Sequence, residues 1–259
     1  MQKITIENIL KKKNKIPITC LTSYSKSTAQ ILDKECDIVL VGDSLGNVLY
    51  GMKSTKNVSI ETMILHGKAV RNFVKKSLVV VDMPYKTYEN KFSAYKNAKK
   101  IIKTTKCDAV KLEGGKKISK IIKYLVDKRI NVMGHIGLLP QSSTNFKPKG
   151  KSVSQKEKIL KDALSISNSG VFAMVLECVV KDLAKKITKI VPVPTIGIGS
   201  SKFCDGQVLV TDDILGLSDL SPKFVKRYSN IKKTIKKSVK NYVKDVKLRR
   251  FPSNKNSYN

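Results

Sequence analysis

The sequence predicts an α/β protein in which eight short strands alternate with helices, and three observations support this fold class. Apolar runs rich in Val and Ile alternate along the chain with segments whose apolar residues recur at helical spacing. The length of 259 residues matches the ~250 residues of a barrel of eight strand–helix units. No Gly-x-Gly-x-x-Gly motif follows the first strand, which disfavours an open nucleotide-binding sheet. We therefore expect one (β/α)8 TIM barrel over residues 1–251 and a polar tail at 252–259.

The first half of the chain supplies four strand–helix units. Strands are expected where short apolar runs end abruptly in polar residues, at 17–24, 38–43, 77–82 and 109–113. Helices are expected where apolar residues recur every three or four positions, at 25–36, 60–75, 92–104 and 118–128. In the third of these helices, Ala94, Ala98 and Ile101 fall on one side, which predicts the buried face.

The second half continues the alternation on the same grounds. Strands are expected at 130–136, 172–178 and 193–199, with a shorter eighth strand within 207–215. Helices are expected at 154–167 and 183–190, followed by a long amphipathic closing helix at 225–246. Two irregular stretches, 46–59 and 138–152, follow strands, so both should lie at the catalytic face of the barrel, where they could act as lids.

Charge is the most unusual feature of the composition. Lys and Arg number 51 against 20 Asp and Glu, which gives a formal net charge of +31. Nucleic-acid binding is the obvious interpretation. The lysines are, however, spread over nearly every predicted helix, and arginine, the commoner reader of base edges, is scarce. We interpret them as solvated helix faces that attract anionic ligands, and expect no nucleic-acid partner.

Cysteine usage and hydropathy indicate a cytoplasmic protein. The five cysteines are scattered and show no Cys-x-x-Cys spacing, which argues against a disulfide framework or a structural zinc site. No apolar run approaches the ~20 residues of a membrane span. The first residues lack the apolar core of a secretory signal. We expect no membrane association.

Three acids stand at the ends of three successive predicted strands: Asp43, Asp82 and Glu113. The carboxyl ends of barrel strands converge on one site, so these side chains should meet there. Carboxylates brought together repel one another unless a cation lies between them, and an all-oxygen ligand set favours Mg²⁺. The alternative is that each acid merely caps a helix or ends a loop.

Lys111 and His135 are the basic candidates. Lys111 lies two positions before Glu113, so the two side chains share one face of the strand. A lysine that points into a barrel needs an anion: a substrate carboxylate, an enolate oxygen or a neighbouring acid in a buried ion pair. A Schiff base with the substrate is a further possibility. His135, near the end of the fifth strand, should contact a ligand, whereas His66 lies within a helix and should be structural.

Glu177 and Ser44 complete the set of candidates. Glu177 ends the sixth strand, across the barrel from the acid cluster, and a carboxylate in an apolar run suits general acid–base chemistry. The alternative is that Glu177 is a structural buried acid whose hydrogen bonds are made by neighbouring groups. Ser44 follows Asp43 and could hydrogen-bond a substrate or simply form the turn that ends the strand.

Together these residues resemble a known family, ketopantoate hydroxymethyltransferase. The resemblance covers the chain from about Thr19 to about Phe224 and depends on seven short motifs that occur in the order of the family with similar spacing. These motifs are VGDSLG at 41–46, DMP at 82–84, VKLEGG at 110–115, GHIGLLPQS at 134–142, LEC at 176–178, GIG at 197–199 and DGQ at 205–207.

The resemblance implies transfer of a one-carbon unit from 5,10-methylenetetrahydrofolate to 3-methyl-2-oxobutanoate, which gives 2-dehydropantoate in pantothenate synthesis. It further implies Mg²⁺, a (β/α)8 barrel and a homo-oligomer, commonly a decamer. By motif position, the metal residues are Asp43, Asp82 and Glu113, the keto-acid contacts are Ser44, Asp82 and Lys111, His135 lines the site, and Glu177 transfers the proton. A 2-oxo acid chelated to Mg²⁺ would form a stabilised enolate when the C–H beside its ketone is lost.

Two other functions stay open at this point. Mg²⁺-dependent enzymes of the isocitrate lyase and phosphoenolpyruvate mutase type also act on 2-oxo acids, but they often carry a Lys-Cys-Gly motif that this chain lacks. A basic nucleic-acid-binding protein is the alternative from a different class. Such a protein would bind nucleic acid without catalysing a reaction, and its affinity would fall steeply as the salt concentration rises.

Overall fold

Two compact units make up the structure, a computed structural model that describes residues 2–143, 147–219 and 222–258. The first unit extends from Met1 to Val210 and the second from Thr211 to Asn259. All candidate site residues lie in the first unit, which is a closed barrel of eight parallel strands in sequential order. The strands are β1 Ile18–Thr22, β2 Ile38–Val41, β3 Leu78–Asp82, β4 Ala109–Glu113, β5 Val132–Gly137, β6 Ala173–Glu177, β7 Thr195–Ile198 and β8 Gly206–Leu209.

Helices between these strands confirm the (β/α)8 prediction. In the first unit they are α1 Ile6–Lys11, α2 Lys26–Glu35, α3 Leu45–Val48, α4 Ile60–Arg71, α5 Lys91–Thr105, α6 Ser119–Asp127, α7 Val153–Asn168 and α8 Lys181–Ile190. Their apolar sides pack on the outside of the sheet, and the predicted stripe Ala94, Ala98 and Ile101 is fully buried there. Ionisable side chains on the opposite sides of these helices lie in water, as the dispersed lysines predicted.

Inside the barrel, apolar side chains fill the lower layers and polar side chains fill the upper layer. Val80, Ala109, Met133 and Val175 belong to one buried cluster within the barrel. Because side chains along a strand point alternately inward and outward, the residues two positions later also point inward. Those positions carry the four polar residues Asp82, Lys111, His135 and Glu177.

The opposite end of the barrel is closed by α1, a helix that the sequence analysis did not predict. Its Ile9 is fully buried in the inner cluster, where Ile4 and Ile6 pack beside it. Nearby, the carboxylate of Asp205 accepts hydrogen bonds from Lys13 Nζ at 2.7 Å and from the backbone N–H of Asn14 at 2.8 Å. This end of the barrel is therefore a stability element far from the carboxyl ends of the strands.

Several boundaries differ from the prediction. The second unit contains α9 Thr211–Ile214 and α10 Ile231–Lys247, so part of the 207–215 segment is helical rather than extended. The closing helix begins six residues later than the predicted 225, because the Asn230 side chain caps it by accepting from the backbone N–H of Lys233.

One of the two predicted irregular stretches carries more order than expected, since 46–59 contains most of α3 and a 3₁₀ turn at Thr55–Asn57. Of the stretch 138–152, residues 144–146 lie outside the described residues. Among the described residues, no helix is both long and apolar enough to cross a bilayer.

Candidate active site

Strand register brings the polar residues of the upper layer side by side. Asp82 is the register partner of Lys111 between β3 and β4, and Glu113 is the partner of His135 between β4 and β5. Glu177 pairs with Gly137 between β5 and β6. A side chain at Gly137 would come within 2.3 Å of the Glu177 carbonyl oxygen, so the strands can approach here only because residue 137 is glycine.

Asp43, Asp82 and Lys111 form the first part of the site, and all three are buried. Lys111 Nζ lies 3.0 Å from Asp82 Oδ1, and the backbone N–H of Asp43 donates to Asp82 Oδ2 at 3.1 Å. The buried ion pair predicted as one alternative for Lys111 is therefore present. It leaves one ammonium charge among several carboxylates.

The electrostatic consequences are large because water is excluded. Burial first, and then the charge of Asp82, raises the pKa of Asp43 to about 7. Burial followed by the charge of Asp43 raises the pKa of Glu113 to about 9. Burial alone would lower the pKa of Lys111, but the surrounding carboxylates, Asp82 foremost, raise it above its usual value. Full ionisation of these acids would place more negative charge in the site than Lys111 can balance, so a further cation would favour their ionised forms.

Gln141 connects the acids although the sequence analysis gave it no role. Its side-chain amide donates to Asp43 Oδ2 at 2.8 Å and to the Met83 carbonyl at 3.0 Å, while its backbone N–H donates to Glu113 Oε1 at 2.7 Å. The amide oxygen accepts from the Tyr88 hydroxyl at 2.5 Å. Gln141 follows β5, so the first part of the 138–152 loop does lie over the acids.

His135 stands between the two glutamates. Its Nε2 lies 3.2 Å from Glu177 Oε2, and its Nδ1 lies 3.5 Å from Glu113 Oε2. Burial, and then the charge of Lys111, lowers the pKa of His135, so the ring is neutral and carries a single N–H. Neither contact is aligned as a hydrogen bond among the described residues, and the single N–H of a neutral ring could serve only one glutamate at a time.

The two remaining candidates, Ser44 and His66, both contact Tyr24. Ser44 follows Asp43 at the mouth of the site, and its Oγ lies 2.8 Å from the Tyr24 hydroxyl. His66 lies on α4, where its Nδ1 contacts the Tyr24 carbonyl at 2.7 Å and its Nε2 contacts the Tyr50 hydroxyl at 2.9 Å. Those contacts agree with the structural role predicted for His66.

The acids present oxygen atoms that could serve as ligands of a metal ion. Among the described residues, no three His, Cys, Asp or Glu side chains converge closely enough to hold an ion by themselves. Asp82 Oδ1 is nevertheless buried with no aligned hydrogen bond from any described group, and Lys111 Nζ is its ion-pair contact. Mg²⁺ commonly keeps several waters and uses one or two carboxylates with substrate oxygens. The donor set therefore fits Mg²⁺, and ligation by Asp43, Asp82 and Glu113 stays a prediction.

All seven predicted site residues thus lie along the mouth of one barrel, and the structure adds two more, Gln141 and Tyr88. Gln141 could have been noticed as the polar residue that ends the apolar run Gly-Leu-Leu-Pro in the 134–142 motif. Tyr88 carries no local sequence signal, since its role depends on contact with a loop 53 residues away.

Comparison with known proteins places the whole chain in one group. The family model described as ketopantoate hydroxymethyltransferase matches residues 3–254. A 3-methyl-2-oxobutanoate hydroxymethyltransferase of Pelagibacter ubique (strain HTCC1062) is 58% identical over 98% of this chain and 98% of its own length. Another, from Anaplasma marginale (strain Florida), is 48% identical over 98% of this chain and 93% of its own length.

Solved structures with similar coordinates share the fold at low sequence identity. Phosphonopyruvate hydrolase in complex with oxalate and Mg²⁺ superposes with a TM-score of 0.61 at 9% identity, over 99% of this chain and 93% of that one. Phosphoenolpyruvate phosphomutase from Streptomyces platensis subsp. rosaceus gives 0.62 at 10% identity, over 94% and 88%. At such identities the likeness shows the barrel fold alone.

Proposed function

The chain belongs to the ketopantoate hydroxymethyltransferase family, and on that premise we propose that it moves a one-carbon unit from 5,10-methylenetetrahydrofolate to 3-methyl-2-oxobutanoate. The product is 2-dehydropantoate. One observation carries the proposal. A buried cluster of acids around Lys111 lies at the ends of β2, β3 and β4, and Glu177, beside His135, lies at the end of β6. A 2-oxo acid bound between them has its carboxylate and ketone on the charged side and its C3 hydrogen toward Glu177.

Each side chain has a role that follows from its charge and burial. Asp43, Asp82 and Glu113 would hold Mg²⁺, which when bound acts as a Lewis acid on the ketone. Lys111 is positively charged and neutralises part of the substrate carboxylate. Ser44 and His135 contact and orient the keto acid. Because the neutral His135 ring has one N–H, it can steady the Glu177 carboxylate without protonating it.

Bond making and breaking can be assigned to this chain's groups. Glu177 accepts the proton from C3 of the keto acid and the C–H electron pair becomes the enolate. C3 then forms a bond to the methylene carbon as the first of its two C–N bonds to folate breaks, and the freed nitrogen takes the proton held by Glu177. Water attacks the same carbon as the second C–N bond breaks, so its oxygen becomes the hydroxyl, its proton goes to the second nitrogen, and tetrahydrofolate leaves. Glu177 returns its proton in the same cycle, so the enzyme ends unchanged.

Exchange of the C3 hydrogen tests this proposal without folate. In D₂O with Mg²⁺, the protein should exchange the C3 proton of 3-methyl-2-oxobutanoate for deuterium, as followed by NMR. Glu177→Gln should lose exchange, whereas Glu35→Gln, the same change at an exposed position on α2, should keep it. Absence of exchange by the folded, Mg²⁺-loaded protein contradicts the proposed reaction. Exchange that persists in Glu177→Gln contradicts only the role of Glu177.

Location and assembly belong to the same proposal. All five cysteines are free thiols and are buried, which suits a reducing compartment, and we place the protein in the cytoplasm. Family membership supports a homo-oligomer with a decamer as the expected state. Light scattering of the purified protein measures its mass directly, and a monomer at micromolar concentration would contradict that assembly.

A further inference from the structure

Beside the acid cluster, a cavity of about 310 Å³ opens toward the barrel surface. Glu113 and Gln141 form its inner wall, so it begins at the proposed reaction centre. Four of the other lining residues, Tyr85, Tyr88, Ile118 and Ile121, supply ring and aliphatic surface. The remaining lining residues are polar: Lys86, Glu89, Lys117 and Ser142. A pocket of this size and lining accepts a planar organic ring system. A five-carbon keto acid would leave most of it empty.

Lys117 links this cavity to a second, more open pocket of about 620 Å³. Three further lysines line the second pocket: Lys116, Lys158 and Lys161. None of the four lysine side chains forms a salt bridge with a carboxylate of the described residues. A positively charged groove therefore borders the cavity at Lys117.

Two acids in the groove reduce its charge without cancelling it. Asp162 accepts from the backbone N–H of Lys116 at 2.7 Å, so its carboxylate is already engaged. Glu157 is the second acid, which leaves four positive charges against two negative ones. Ser154 lies in the first turn of α7, a helix of 16 residues whose N-terminal end adds partial positive charge to the groove.

We propose that this cavity and the groove that adjoins it at Lys117 together bind the folate co-substrate. The pterin and aminobenzoyl rings lie between the tyrosines and isoleucines next to Glu113, and the glutamyl carboxylates lie along the four lysines. The inference depends on the proposed function, since it assigns a place to the second substrate. It adds a specificity: the groove favours folates that carry several glutamates, because each added residue brings one more carboxylate to the lysines.

Kinetics with 5,10-methylenetetrahydrofolate carrying one or five glutamates tests the lysine groove. The double variant Lys158→Gln/Lys161→Gln should raise the KM for the pentaglutamate by about fivefold and change the KM for the monoglutamate less. The matched control is Lys96→Gln/Lys103→Gln, which neutralises two exposed lysines on α5 that do not line either pocket. The control should keep the wild-type ratio of the two KM values.

A second variant tests the ring pocket. Ile121→Trp places a large side chain into the cavity and should raise the KM for both folates about equally, by about tenfold. Ile102→Trp makes the same change at a partly buried helix position outside the cavity and should leave both KM values near those of the wild type. Thermal melting of both variants confirms that they are folded.

The possible outcomes separate this inference from the proposed reaction. A pentaglutamate KM that the groove variant leaves unchanged, or that the control pair raises equally, contradicts the groove. Unchanged folate KM values in a folded Ile121→Trp contradict the ring site. Deuterium exchange by the wild type needs no folate, so its presence alongside either result leaves the proposed function standing and overturns only this inference.

Discussion

The side-chain amide of Gln141 donates a hydrogen bond of 2.8 Å to Asp43 across 98 residues of sequence. This contact ties the loop after β5 to the end of β2. Because the same residue also binds Glu113 through its backbone N–H, one loop residue sets the separation of two of the three acids. The position of these acids is therefore controlled from outside the strands that carry them.

Removing the amide should impair catalysis more than folding. Gln141→Ala removes the side-chain hydrogen bonds with Asp43, the Met83 carbonyl and the Tyr88 hydroxyl, of which the last keeps its contact with the Glu113 carbonyl. We expect kcat to fall by about 10- to 100-fold. Tyr88→Phe removes the hydroxyl but keeps the ring, so its loss should be smaller. Gln30→Ala, at an exposed position on α2, is the control. Wild-type kcat in Gln141→Ala would show that the acids hold their places without the loop.

The ion pair between Lys111 and Asp82 should appear as coupling in a double-mutant cycle. Lys111→Met leaves the buried Asp82 without its countercharge, and we expect the free energy of unfolding to fall by about 3–5 kcal/mol. In Asp82→Asn/Lys111→Met neither charge remains, so the loss should be smaller than the sum of the two single losses. Urea denaturation of the metal-free protein measures all four. Strict additivity would contradict a direct interaction between these side chains.

Stability of the metal-free protein should decrease as the pH rises. The pKa of Asp43 is raised to about 7 and that of Glu113 to about 9, chiefly by burial, whereas both groups titrate near ~4 in an unfolded chain. Between these values the folded protein binds more protons than the unfolded one, so the free energy of unfolding falls with pH. The contribution of these two protonated acids to the free energy of unfolding is fully present below about pH 4. It is lost progressively as the pH rises to the folded pKa of each acid.

Thermal melts from about pH 6 to about pH 9 would record this slope. Glu113→Gln should flatten its upper part, whereas Glu35→Gln should not. Saturating Mg²⁺ should oppose the fall, because a cation stabilises the ionised carboxylates that the rising pH creates. A melting temperature that rises with pH in the metal-free protein would contradict the burial of these acids as ionisable groups.

Asp205 should matter for stability alone, although it lies in one of the motifs that carry the family resemblance. Its carboxylate accepts from Lys13, from the Asn14 backbone and from the backbone N–H of Thr195 at 2.9 Å. Asp205→Asn should lower the free energy of unfolding by about 3 kcal/mol while the folded protein keeps its exchange rate. The control is Asp182→Asn, at an exposed position on α8. A specific loss of exchange in folded Asp205→Asn would contradict this assignment.

The alternation of apolar runs and amphipathic segments predicted the barrel, because each strand and each helix is encoded by a local pattern of side chains. The acids at the ends of β2, β3 and β4 could be placed near one another for a similar reason: barrel strands share a direction, so their carboxyl ends share a face. The helix α1 was not predicted because its apolar side chains are buried against residues from several strands that lie far from it in the sequence. The late start of α10 depends on one cap, at Asn230, which the broader apolar pattern obscured.

Local sequence patterns were sufficient to predict the fold class, the family and the strand ends at which the acids lie. Tertiary structure alone decided which charges meet. The pairing of Lys111 with Asp82, the position of His135 between two glutamates and the contact from Gln141 to Asp43 all depend on strand register and on the path of one loop. Register is set by packing over the entire barrel, and a shift of one residue would turn each inward side chain outward. Distant parts of the chain fix these contacts together, so no local stretch of sequence specifies them.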